Sequence, residues 1–123
     1  MKILFVENYR RFADITAKTF LPSHLVTIIP RVSVARRALL EGAFDVVLID
    51  YDLDGGKGDA LLSDMQSHSC RAVVIAISSH TMGNQALLAA GADAICSKMD
   101  FQNIETINAE ARAEARATTR EKN

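Results

Sequence analysis

Three apolar runs, at residues 3–6, 46–49 and 73–77, constrain the fold of this chain more tightly than anything else in its sequence. Each is rich in β-branched residues and too short to be a helix, which marks strands buried on both faces, as in a parallel sheet covered by helices. Two weaker strand candidates lie at residues 25–29 and 94–96. A helical pattern follows each of the five, and that alternation is the signature of βαβ units.

The helices are read from their apolar spacing and their stops. Phe12, Ile15, Thr19 and Phe20 share a face of a first helix that ends near Pro22, because proline cannot continue a helix interior. Val34, Ala35, Ala38 and Leu39 mark a second, with Ser33 as N-cap and Gly42 just past its end. Leu61, Leu62 and Met65 mark a third; residues 86–90, stopped by Gly91, a fourth; Ile104, Ile107 and Ala111, capped by Asp100, a fifth. After about Ala113 the large apolar residues run out, so the last helix is expected to fray into a solvated tail. The order is (βα)5, an α/β fold in three layers, and right-handed crossovers place five parallel strands with their carboxyl ends on one edge.

At 123 residues the chain reads as one domain, too short for a two-domain enzyme. Its 49% hydrophobic and 24% charged residues, with 6 Gly and 2 Pro, are those of an ordinary globular core. Fourteen Lys and Arg against fifteen Asp and Glu leave no basic excess from which to argue binding to nucleic acid or to a membrane surface. The apolar start at residues 3–6 is too short for a signal-peptide core or a membrane span. Cys70 and Cys96 lie far apart and beside apolar runs, so they read as buried, reduced thiols of a cytoplasmic protein.

What the strand ends carry decides the function, because ligands of open α/β sheets bind at the carboxyl edge. The first strand ends in Glu7 and Asn8, the third in Asp50, the fourth in Ser78 and Ser79, and Lys98 follows the fifth. Carboxylates and an ammonium gathered at one edge can hold a divalent cation and a phosphoryl group together.

Four segments carry a family resemblance: Ile3-Leu4-Phe5-Val6-Glu7-Asn8, Val47-Leu48-Ile49-Asp50-Tyr51-Asp52-Leu53, Val74-Ile75-Ala76-Ile77-Ser78-Ser79 and Gly91-Ala92-Asp93-Ala94-Ile95-Cys96-Ser97-Lys98. In this order and spacing the chain resembles a response-regulator receiver domain of two-component signalling. The resemblance covers essentially the whole chain, with residues 1–118 as the domain and 119–123 as a tail. It implies a flavodoxin-like fold with strand order 2-1-3-4-5. It also implies that Asp50 accepts a phosphoryl group from a histidine kinase or histidine phosphotransfer protein. Glu7 and Asn8, with Asp50 and the backbone carbonyl of Asp52, would form the magnesium site. Ser78 would bind a phosphoryl oxygen, with Ser79 as the fallback, and Lys98 would pair with the same group. Such a domain is a signalling switch rather than an enzyme, catalysing only its own phosphorylation and dephosphorylation.

Three positions depart from the family pattern. Asn8 stands where a second acid is usual, which removes a negative charge from the cation site and predicts weaker magnesium binding. Met99 follows Lys98 where proline is usual. Ile95 replaces the switch aromatic, so a signal must travel through backbone or loop shifts.

Rival motifs are weaker. The segment from Asp50 to Gly55 opens like an EF-hand loop, but Leu61 stands where the bidentate Glu belongs. Asp50 and Asp52 also resemble the Asp-x-Asp pair of haloacid-dehalogenase-like phosphatases, although here a complete βαβα unit precedes it. Gly55, Gly56 and Gly58 around Lys57 read as a flexible loop with a solvated charge. His24 and His68 are isolated, and His80 lies where the resemblance implies an influence on dephosphorylation. With no effector following, output is expected by protein contact or homodimerisation through the fourth helix, fifth strand and fifth helix. The other expectation is a pseudo-receiver, a protein interaction module that is not phosphorylated.

Overall fold

The apolar runs pair in the predicted order. In a computed structural model, which describes residues 1–68 and 71–122 with side chains as far as residue 117, five strands form one parallel sheet. They are β1 (Lys2–Val6), β2 (Leu25–Ile29), β3 (Val46–Ile49), β4 (Val73–Ala76) and β5 (Ala94–Ile95), arranged β2-β1-β3-β4-β5. Five helices alternate with them: α1 (Arg10–Phe20), α2 (Val32–Glu41), α3 (Gly58–Ser67), α4 (Thr81–Ala89) and α5 (Ile104–Lys122). Cys70 lies outside the described residues.

All residues of β3 and β4 are buried, as a strand covered on both faces requires. Successive side chains point to opposite faces, so the sheet divides the core in two. Ile3, Phe5, Leu48 and Ile75 pack with α1 and α5, whereas Leu4, Val6, Val47, Ile49 and Val74 pack with α2, α3 and α4. Each such side chain contributes about 1.5–3 kcal/mol by leaving water, which makes the central strands the rigid frame of the site.

Five local expectations change, one of them at the C-terminus, where α5 does not fray after about Ala113 but stays helical to Lys122. The buried face of α1 is Phe12, Ala13, Thr16, Ala17 and Phe20, while Thr19 is exposed and Ile15 is 53% exposed. At 100° per residue Ile15 lies about 130° from the centre of that stripe. The N-cap of α2 is Arg31 rather than Ser33, and no side chain caps it. The Val32 N–H donates instead to the Asp54 carbonyl at 3.0 Å, and the Asp54 N–H donates to Pro30 at 3.1 Å. Asp100 does not cap α5 but sits within a 3-10 turn, Lys98–Asn103, whose own cap is Ser97. Finally, the glycine loop is an ordered two-residue ladder in which Asp52–Leu53 pairs with Gly56–Lys57. No helix among the described residues is long and apolar enough to cross a membrane.

Candidate functional site

The parallel ladder carries on past the strand ends and sets the site residues side by side. Asp50 donates its N–H to the Val6 carbonyl (3.0 Å), Ile77 to Ile49 (3.0 Å) and Cys96 to Ala76 (2.8 Å). Glu7, Asp50 and Ser78 therefore emerge at one edge, all buried, and Lys98 reaches back to the first two. Its Nζ lies 3.0 Å from Asp50 Oδ2 and 3.0 Å from Glu7 Oε1. The other Asp50 oxygen accepts the Tyr51 N–H at 2.8 Å. Glu7 Oε1 also accepts the Tyr9 N–H at 3.0 Å. Glu7 Oε2 is 2.9 Å from the ammonium, but off a hydrogen-bonding angle, so it remains a buried acceptor without a hydrogen bond.

Burial sets the electrostatics. It pushes the Glu7 carboxyl above its ordinary range, and the neighbouring Asp50 adds to the rise, which the hydrogen bond from Lys98 only partly offsets. For Lys98 burial pulls the other way, yet its hydrogen bonds to Glu7 and Asp50 outweigh it and the ammonium is held charged. The ring of Phe12, 5.1 Å from Nζ, adds a cation–π contact. That ring sits edge-on to Phe5 and Phe101, so the aromatic core under α1 supports the lysine.

Ser78 is held by a residue the sequence reading passed over. Asn84, buried on α4, accepts the Ser78 N–H at its Oδ1 and donates its Nδ2 to the Ser78 carbonyl, both at 2.9 Å. Two glycines make the close approaches possible. A Cβ on Gly83 would meet Ser78 Oγ at 2.7 Å, and one on Gly58 would meet the Asp50 carbonyl at 2.1 Å. Ser79 and His80 are exposed, and the His80 N–H donates to Ser78 Oγ at 3.1 Å.

No family model matches the sequence, and no curated protein does. Solved structures do match. The chain superposes with a TM-score of 0.82 at 22% identity on the N-terminal domain of a response regulator/sensory box/GGDEF 3-domain protein from Carboxydothermus hydrogenoformans, covering 97% of this chain and 99% of that one. The BeF3-activated N-terminal receiver domain of RstA from Klebsiella pneumoniae gives 0.75 at 24% identity, with 94% and 99% covered. A Francisella response regulator receiver domain gives 0.76 at 19% identity, with 95% and 98% covered. The chain has the receiver fold.

Within this receiver fold the three departures take definite form. Lys98 reaches both carboxylates with Met99 behind it, through a turn in which Ser97 Oγ accepts the Met99 N–H at 3.3 Å and the Ser97 carbonyl accepts the Asp100 N–H at 2.9 Å. Ile95 packs, half-buried, against the α2–α4 side of the core. Asn8 is exposed beside Glu7. Cys96, the described cysteine, is buried as expected, and burial next to Asp100 pushes its thiol up to about 11.

The oxygen atoms present suit a hard cation such as magnesium, which takes a few protein oxygens and keeps its waters. Glu7 Oε2, which is ion-paired with Lys98 but accepts no hydrogen bond, the Asp50 carboxylate, the Asn8 amide and the Asp52 carbonyl could serve. Among the described residues no three His, Cys, Asp or Glu side chains gather as a metal site. The Asp52 carboxylate pairs with Lys57 instead. A cation here would rest on two carboxylates already shared with Lys98.

Proposed function

We propose that this chain is a phosphoacceptor switch of a two-component phosphorelay and that Asp50 carries the phosphoryl group. The observation behind this reading is the Asp50 carboxylate, buried at the end of the central strand with Lys98 3.0 Å away. In this reading an Asp50 oxygen attacks the phosphorus of a phosphohistidine on a histidine kinase or histidine phosphotransfer protein. The P–N bond breaks, the imidazole leaves with the electron pair, and an aspartyl phosphate remains. Lys98 pairs with one phosphoryl oxygen and the Ser78 hydroxyl donates to another, stabilising charge where it develops. Bound magnesium, held by Glu7, Asn8, Asp50 and the Asp52 carbonyl, would supply further neutralisation of the phosphoryl oxygens.

Residues 1–118 carry the switch in this reading, with 119–123 beyond it, and its place is the cytoplasm. Output runs through the face formed by α4, β5 and α5, to a protein partner or a second copy. The exposure of Met82 (86%) and Met99 (80%) near that face supports this assignment. The exposed position of His80 beside Ser78 supports a part in tuning dephosphorylation.

The neutral Asn8 favours one alternative, a pseudo-receiver that binds partners without being phosphorylated. A phosphatase of the haloacid-dehalogenase type needs Asp52 as acid and base beside Asp50, whereas the Asp52 carboxylate is exposed and paired with Lys57. Incubation with a small acyl phosphate and magnesium, followed by intact mass, separates the readings. One phosphoryl adduct on the wild type and none on Asp50→Asn is expected. No adduct with any donor or kinase hands the chain to the pseudo-receiver reading, and phosphate release from para-nitrophenyl phosphate to the phosphatase.

A further inference from the structure

The edge of the sheet opposite Asp50 holds a cavity of about 730 Å³. That volume lies in the range of small-molecule sites. It opens between the starts of β3 and β4 and the face of α5, and Arg71, Arg112 and Arg116 line it with Phe44, Leu39 and one acid, Asp45. From Val46 to Asp50 the strand rises about 13 Å, so the cavity is separate from the site above.

Its charge is unbalanced in a chain that is otherwise nearly neutral. None of the three arginines forms an ion pair among the described residues, and the partner found for Arg112 is the thioether of Met1. The Asp45 carboxylate already accepts the Lys2 N–H at 2.9 Å. One carboxylate and the C-terminal end of α2, worth about half an elementary charge, leave the guanidinium groups in excess. The arrangement on α5 is also unfavourable without a ligand. Arg112 and Arg116 are four apart on one face, where like charges repel. Glu110 and Glu114 form their own pair about 200° around the helix, so the order of residues forgoes the Glu–Arg pairs that the same composition allows.

We infer that this cavity binds a polyphosphate anion, whose oxygens the three guanidinium groups would take as charge-assisted, bidentate hydrogen bonds. The source is a free polyphosphate chain or the phosphate tail of a nucleotide, for which the half-buried Phe44 offers an apolar wall.

Calorimetric titration of the whole chain at low salt, without magnesium, tests this with tripolyphosphate, ATP and inorganic phosphate. Tripolyphosphate is expected to bind at least about tenfold more tightly than phosphate, and Arg112→Gln/Arg116→Gln to weaken it at least about tenfold. The circular dichroism of that variant should be unchanged, since both side chains lie outside the core. ATP binding more tightly than tripolyphosphate assigns a nucleotide; equal affinities assign the phosphate chain; both support the site. Asp50→Asn should bind as the wild type does. Absence of binding at millimolar ligand, equal affinity in the double arginine variant, or loss of binding in Asp50→Asn overturns the inference.

Discussion

Glu7 has no solvent exposure and lies beside a second carboxylate, with the Lys98 ammonium within ion-pair distance of both. Its pKa is raised above the ordinary 4.5, first by burial. A carboxyl shifted in that direction adds stability below pH 4.5 and gives it up as pH climbs through the folded value. Glu7→Gln mimics the protonated form. Urea denaturation from pH 4 to 8 should therefore show the wild type losing stability relative to Glu7→Gln as pH rises; a flat or opposite difference contradicts the burial argument. The residue beside it predicts a metal effect. Asn8→Asp restores a second negative charge next to Glu7, and magnesium affinity, followed by titration calorimetry, should rise about tenfold because charge count sets the affinity of oxygen sites. Equal or weaker binding by the variant would show that position 8 does not reach the cation.

At the scale of elements, the loop after β4 is tied to the start of α4 because Asn84 bonds both backbone groups of Ser78. Asn84→Ala leaves a buried N–H and a buried carbonyl without partners, a cost of about 3 kcal/mol. Gly58→Ala, with its new Cβ 2.1 Å from the Asp50 carbonyl, should cost at least as much, since the neighbour is backbone and cannot rotate away. Denaturant midpoints check both; a loss below about 1 kcal/mol in either would mean that α3 or α4 can shift without consequence. These positions also mark how far the sequence could be read. Strands buried on both faces announce themselves as continuous apolar runs, so β1, β3 and β4 and the groups at their ends were legible. Asn84, Gly83 and Gly58 act through the close approach of a helix start to the strand end only a few residues before it, a matter of backbone packing that leaves no periodic pattern in the sequence. Likewise Ser33 fits a cap by type, but the backbone of Asp54 takes that place.

For the whole molecule, Lys98 ties the ends of β1 and β3 to the segment after β5, so the site and the stability of the sheet are one system. Lys98→Met keeps the volume and removes the charge, leaving Glu7 and Asp50 buried and adjacent. Breaking a buried ion pair in this way costs about 3 kcal/mol, a fall in melting temperature of about 12 °C for a domain of this size. A divalent cation competes with the ammonium for the same two carboxylates, so the variant has more to gain from it. Magnesium at 10 mM should raise the melting temperature of Lys98→Met by more than it raises that of the wild type, as linkage requires of a ligand bound more tightly by the folded variant. The reverse order, measured by calorimetric melting of both proteins with and without the ion, would mean that the cation does not meet Glu7 and Asp50, and the proposed metal set would fall with it.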